Sequence, residues 1–205
     1  MFANISLQFY GSSMDLTAIT PTPAALRALS HPVRLRMLAL LRTEGPATAT
    51  TLAARLGLNT GATSYHLRQL AEHGFVVDDP DRGDGRDRWW QAAHQATVTN
   101  PAEAATPEEQ DTHDAFLQAV AIWNTEQLQR AVEERRMLPL AWQDASTFSD
   151  WQLHLTPDRA RELTDRLRAV INEFDEDPAD SEGAGSFVVN INTFARPGTM
   201  TGDPA

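Results

Sequence analysis

The chain contains no cysteine, and all 17 of its basic side chains are arginine. Without thiolates, the soft sulfur sites that hold arsenic, cadmium or lead are excluded, and so is a cysteine nucleophile. An arginine-only basic set reflects the codons of a GC-rich genome rather than a physical demand. Long apolar runs are also missing. No stretch approaches the roughly 20 apolar residues that cross a bilayer. Residues Met1 to Tyr10 have neither the basic start nor the apolar core of a signal peptide. A cytoplasmic protein is the expectation, with Met14 as an alternative start. No Gly-x-Ser-x-Gly elbow and no phosphate-cradling glycine loop is present. Gly83-Asp84-Gly85 is too short to serve as such a loop, and the acids of the second half show no paired catalytic spacing. No catalytic residue, metal or cofactor is therefore expected, and the chain does not read as an enzyme.

Charge is strongly one-sided: 28 acids against the 17 arginines give a net charge of −11. Such a charge repels nucleic acid unless it is segregated. From Leu26 to His94, nine arginines face seven acids; from Gln95 to Ala205, eight face twenty. The acidity sits in the second half, so any DNA binding by the first half must depend on specific contacts.

The first half carries a helix-turn-helix pattern. Val33, Met37, Leu40 and Leu41 recur at helical spacing from Pro32 to Arg42, and Gly45-Pro46 ends that helix. A short helix follows with Leu52 and Leu56 four apart, then a turn at Gly57 with Leu58 as a buried plug. Asn59 is an N-cap for the next helix, which runs to about His73 before Gly74. Leu67, Leu70 and Ala71 make the inner face of that helix. Thr60, Gly61, Ser64, Tyr65 and Arg68 make another stripe, and these are the candidate DNA-binding residues. Small and hydroxylated residues let the backbone approach phosphates, and Tyr65 and Arg68 are long enough to reach phosphates or base edges. Phe75-Val76-Val77 and Arg88-Trp89-Trp90-Gln91 then read as a hairpin around a polar tip. Arg82, Arg86 and Arg88 are candidates for flanking phosphates or the minor groove. Asp78, Asp79, Asp81, Asp84 and Asp87 share this hairpin and leave it net negative.

The run Ala62-Thr63-Ser64-Tyr65-His66-Leu67-Arg68-Gln69-Leu70 with Gly74-Phe75-Val76 resembles the ArsR family of winged-helix repressors. Ser30-His31-Pro32-Val33-Arg34-Leu35-Arg36-Met37-Leu38 looks like that family's preceding helix, and Gly85-Arg86-Asp87-Arg88-Trp89-Trp90 is similar to an actinobacterial wing. The resemblance covers about a third of the chain. It implies a dimeric transcriptional regulator, usually a repressor released by a signal, with Asn59 to His73 as recognition helix. One metal site of the family begins with Asp-x-His on a dimer helix, and Asp111-Thr112-His113 matches that half. Asn124 and Gln127 occupy the later positions and are poor zinc ligands, while Glu126 is about 100° away around the helix. His113 and Asp114 are expected instead as exposed polar residues.

The second half is less familiar. Pro107 to about Leu138 reads as a long helix with Phe116, Leu117, Val120, Trp123, Leu128 and Val132 as an apolar stripe, suited to dimerisation or to packing within one monomer. Trp151 to Leu155 and Phe187 to Phe194 read as strands around a helix that starts at Thr156-Pro157. Trp123, Trp142, Phe148 and Trp151 are candidates to line a pocket for a small apolar ligand; core packing is the competing reading. Temperature acting on a marginal dimer interface is a further signal the sequence leaves open.

The expected fold is mainly α with small β elements: a winged helix-turn-helix domain plus a C-terminal α/β dimerisation or sensor region. The expected organisation is an arm at 1–20, the DNA-binding domain at 21–96 and a linker at 97–106. A helical dimerisation and β-α-β sensor region follows at 107–196, with a disordered tail at 197–205. The expected partners are double-stranded DNA, a second copy of the chain and a small-molecule effector. The rival expectation is a protein-interaction module that binds through its acidic half.

Overall fold

The computed structural model describes residues 17–82, 87–100, 104–178 and 180–199. These fall into two units, one spanning 16–143 and one containing 144–205.

The first unit is built around a helical core. Strand β1 (Ala18–Ile19) leads into helix α1 (Pro23–Leu29), capped by Thr22, and helix α2 (Pro32–Thr43), capped by His31. Strand β2 (Ala47–Thr48) precedes α3 (Ala49–Leu56), and α4 (Thr60–Glu72) follows one tight turn later. Strands β3 (Val76–Asp78) and β4 (Trp89–Ala92) form the hairpin, with β2 on the other side of β4. Val76 pairs with Ala92 and Asp78 with Trp90, while Ala47 also pairs with Trp90. Trp90 sits at the centre of the small sheet, 4% exposed. Leu29, Met37, Leu38, Leu67, Leu70 and Phe75 are fully enclosed and make one core. Burying a side chain of this size contributes about 1.5–3 kcal/mol, so the helices are held by packing more than by their own propensity.

Two turns fix where α4 lies. Gly57 adopts φ +65, and Leu58, partly buried against the core, donates back to the Ala53 carbonyl at 2.9 Å. At the far end Gly74 has φ +75; its N–H donates to Ala71 and that of Phe75 to Leu70. This is a Schellman closure, and the buried Phe75 supplies its apolar contact.

Strand β5 (Ala96–Thr97) pairs in parallel with β1. Residues 17–20 therefore belong to the folded unit rather than to a loose arm, because their backbone groups are satisfied by the chain leaving the wing. Helix α5 (Pro107–Glu134) starts with a capping box of Thr106 and Glu109, then packs on α1 and α2 through Phe116 and Ala119. The ion pair between Arg27 and Glu108 spans 2.7 Å, and Arg36 pairs with Glu126. The boundary expected at 97–106 thus falls later in the chain, at about 143, since α5 shares the core of the winged helix. A short 3-10 turn (Arg135–Met137) and α6 (Leu140–Ala145) follow.

In the second unit, α7 (Pro157–Asn172) is capped by Thr156 with Pro157 in its first turn, as the sequence predicts. The strands expected at 151–155 and 187–194 are not formed among the described residues. Alternation places side chains on two faces, but a strand also needs a paired strand for its backbone groups, and no sheet among the described residues includes either segment. No described residue of 144–199 is buried. Arg196 and Thr199 close a turn at the start of the expected tail. Among the described residues no helix is long and apolar enough to cross a membrane.

Candidate nucleic-acid interface

Helix α4 owes its direction to its two faces. Thr63, Leu67 and Leu70 are buried and hold it against the core. Thr60, Gly61, Tyr65, Arg68 and Glu72 point to solvent, and Ser64 is half-buried beside them. Positions 61, 65, 68 and 72 follow helical spacing, so one stripe of α4 faces outward. All five candidate residues of this helix lie on or beside that stripe. Glu72 lies at its far end, bonded to Gln69 at 3.1 Å; the sequence reading passed over this acid because it concentrated on donors.

The N-terminal end of α4 is prepared for an anion. The Asn59 side chain accepts from the Ala62 N–H at 2.8 Å, and its carbonyl accepts from the Thr63 hydroxyl at 3.1 Å. The other first-turn amides and the helix dipole present positive potential there. Tyr65 is 53% exposed. Arg68 is exposed and has no ion-pair partner among the described residues. In a chain with this excess of acid, a guanidinium left without a carboxylate keeps all five of its donors for an outside acceptor.

Beneath this face lies a pair of histidines. The His31 and His66 ring centroids are 4.8 Å apart, and Tyr65 stands edge-on to His66 at 5.5 Å. The His31 Nδ1 accepts from the Val33 N–H at 3.2 Å and so caps α2. An acceptor nitrogen carries no proton, so His31 caps as the neutral ring. Among the described residues His66 Nδ1 is buried without a hydrogen-bond partner. Burial, then the charge of Arg34, pushes the His31 pKa below its ordinary value. Burial, then His31 and Arg34, does the same to His66. Arg34 itself donates to the Ala28 carbonyl.

The wing arginines are placed differently. Arg88 donates to Asp78 at 2.8 Å and lies 4.4 Å from the Trp90 ring centroid. Arg82 donates to Asp79 at 3.3 Å and lies 5.5 Å from Trp89. Two of the five wing acids are therefore held by the arginines they share the hairpin with. Arg86 lies outside the described residues.

His113 departs from expectation. It is 5% exposed, with Nε2 3.3 Å from the Thr99 hydroxyl. It is a packed residue at the root of α5 rather than a surface one, because its turn of the helix faces α1; Asp114 does lie exposed. Among the described residues no group of three potential ligands is close enough to hold a metal ion. The four aromatic candidates for an apolar pocket divide between the units. Trp123 and Trp142 are half-buried in the first, whereas Phe148 and Trp151 are 48% and 78% exposed in the second.

Residues 29–78 match the family described as a helix-turn-helix domain. The HTH-type transcriptional regulator NmtR of Mycobacterium tuberculosis is 39% identical over 66 residues, 32% of this chain and 54% of NmtR. The HTH-type transcriptional regulator YgaV of Escherichia coli is 36% identical over 58 residues, 28% of this chain and 59% of YgaV. The chain spans little more than half the length of these curated relatives. A crystal structure of a possible transcriptional regulator for arsenical resistance aligns at 27% identity over 54% of this chain and 95% of its own, with a TM-score of 0.30. The segment from Leu29 to Asp78 is a helix-turn-helix, and the β3–β4 hairpin completes it as a winged helix.

Proposed function

We propose that the chain is a sequence-specific DNA-binding transcriptional regulator that acts as a homodimer, most simply as a repressor released by a signal. The observation that carries this reading is the outward stripe of α4, where Arg68 stands beside Tyr65 without an internal partner. A helix of this kind fits the major groove, with side chains on base edges and its N-terminal amides near phosphate. The wing contributes less. Arg82 and Arg88 are already paired with Asp79 and Asp78, so much of their charge is neutralised before DNA arrives and their gain on binding is smaller.

The dimer rests on α5. Leu117, Leu128 and Val132 are 46%, 51% and 55% exposed on that helix. A second α5 would cover them and place two recognition helices about one helical turn of DNA apart. The net acidity of the second half lowers non-specific affinity, so selectivity comes from base contacts rather than from charge.

Fluorescence anisotropy on the chain's own promoter region, at two salt concentrations and against a random duplex, tests this proposal. Selective, salt-sensitive binding supports it. Failure to bind any duplex at low salt removes it and favours the protein-interaction reading, in which the acidic half meets a partner.

A further inference from the structure

Arg42 has no carboxylate partner among the described residues, and it faces a cavity. Arg42 ends α2, donating through Nε to the His94 carbonyl and through Nη2 to the Thr97 hydroxyl, both at 2.9 Å. Both acceptors are neutral. Arg27, Arg36 and Arg55 on α1, α2 and α3 each reach a carboxylate, whereas Arg42 has none among the described residues. Its withdrawal from water pushes its pKa down to about 10, so it stays charged at neutral pH with three donors unspent. A desolvated cation without a counter-charge is costly, and a bound anion would relieve that cost.

The space beside it has a definite character. A cavity of about 160 Å³ is lined by Thr17, Arg42, Gln91 and Gln95 together with the apolar walls of Leu41, Pro46 and Ala92. At roughly 30 Å³ per water, it holds the volume of about five waters. A fully polar oxyanion would leave the apolar walls unused. A carboxylate with a short hydrocarbon tail uses both, its oxygens on the planar guanidinium fork and its carbons against Leu41 and Pro46.

We propose that this cavity is a binding site for a small aliphatic carboxylate, held by Arg42. The ligand would join the end of α2 to β4 and to the segment at His94 and Gln95 that follows it. The site is distinct from α4, and its occupancy does not depend on DNA binding.

Thermal unfolding of the full chain in sodium butyrate, with chloride balancing ionic strength and phosphate as comparator, tests the proposal. Butyrate at about twentyfold its Kd should raise the midpoint by about 5 °C, with no comparable effect of phosphate. Arg42→Lys keeps the charge but loses the fork, and it should lose most of the rise; Arg42→Gln should lose all of it. If Arg42→Gln does not fold, Arg42→Lys decides. No shift with up to 50 mM (about 0.05 M) butyrate overturns the site. An equal shift with phosphate overturns the carboxylate assignment. A butyrate shift that survives in Arg42→Lys places the binding elsewhere and also overturns the proposal.

Discussion

Arg68 is the side chain on which the functional reading is most exposed to test. Truncating it to alanine removes donors that contact nothing inside the protein, so folding should be unaffected. Specific DNA affinity should fall by about 1–3 kcal/mol, roughly five- to 150-fold. Equal affinity for the variant, measured by anisotropy, would take Arg68 out of recognition. The histidine pair makes a second prediction at this scale. Both His31 and His66 have folded-state pKa values below their ordinary value of 6.5, so the folded protein binds fewer protons than the unfolded chain. Their contribution to stability is complete above about pH 6.5, falls as pH drops through that value and levels off below the folded pKa. Protonation would also set two cationic rings beside Arg34 and remove the acceptor that caps α2. Urea midpoints measured between about pH 7.5 and 5.5 should therefore decline, and His31→Asn, which keeps a capping oxygen, should flatten part of the slope. A wild-type profile that is level across this window would show that the pair is not titrating.

At the scale of elements, α4 was legible because its boundaries are written in residue chemistry. Asn59 can cap, Gly74 can turn, and Leu67 and Leu70 fall on one side. Gly74 makes a quantitative prediction here. A Cβ at that position meets nothing within 4 Å, so Gly74→Ala costs only its left-handed backbone, about 1–2 kcal/mol. A chemical denaturation curve should show that loss; a neutral substitution would mean the turn relaxes without cost. Strands β1, β2 and β5 were missed because two-residue ladders such as Ala47–Thr48 carry no periodicity. Helix α1 was not identified either, because seven residues are too few to show a clear period. The opposite error arose at 187–194. Phe187, Val189 and Ile191 alternate as a half-buried strand would, yet they are 56%, 51% and 38% exposed. Alternation records a capacity to pair, and only a neighbouring backbone realises it. His113 was misjudged because the sequence does not say which turn of a long helix meets a neighbour.

For the molecule as a whole, the proposed dimer rests on α5. Its first half is buried against α1, and its later turns expose Leu128 and Val132. Leu128→Glu with Val132→Glu should yield a monomer by sedimentation, without loss of the winged-helix fold. Affinity for a two-half-site duplex should fall by more than about tenfold, because the second half-site no longer gains from linkage to the first. An unchanged mass would exclude this face as the dimer contact. The position of the unit boundary adds one more test. Removing 144–205 should leave the thermal transition of the first unit in place, since its core draws on no described residue beyond 143. Loss of cooperative unfolding on that truncation would show that the second unit completes the core.

The parallel pairing of Ala18 with Ala96 and Ile19 with Thr97 has a mechanical meaning. It clasps together two points 78 residues apart, so the helix-turn-helix hangs in a loop with a fastened neck. Tension entering before Thr17 and leaving towards α5 runs across the clasp and bypasses α2, α3 and α4. Both ends of the loop are thus delivered to the same place, from which the chain goes on to α5, the helix whose Phe116 completes the loop's core.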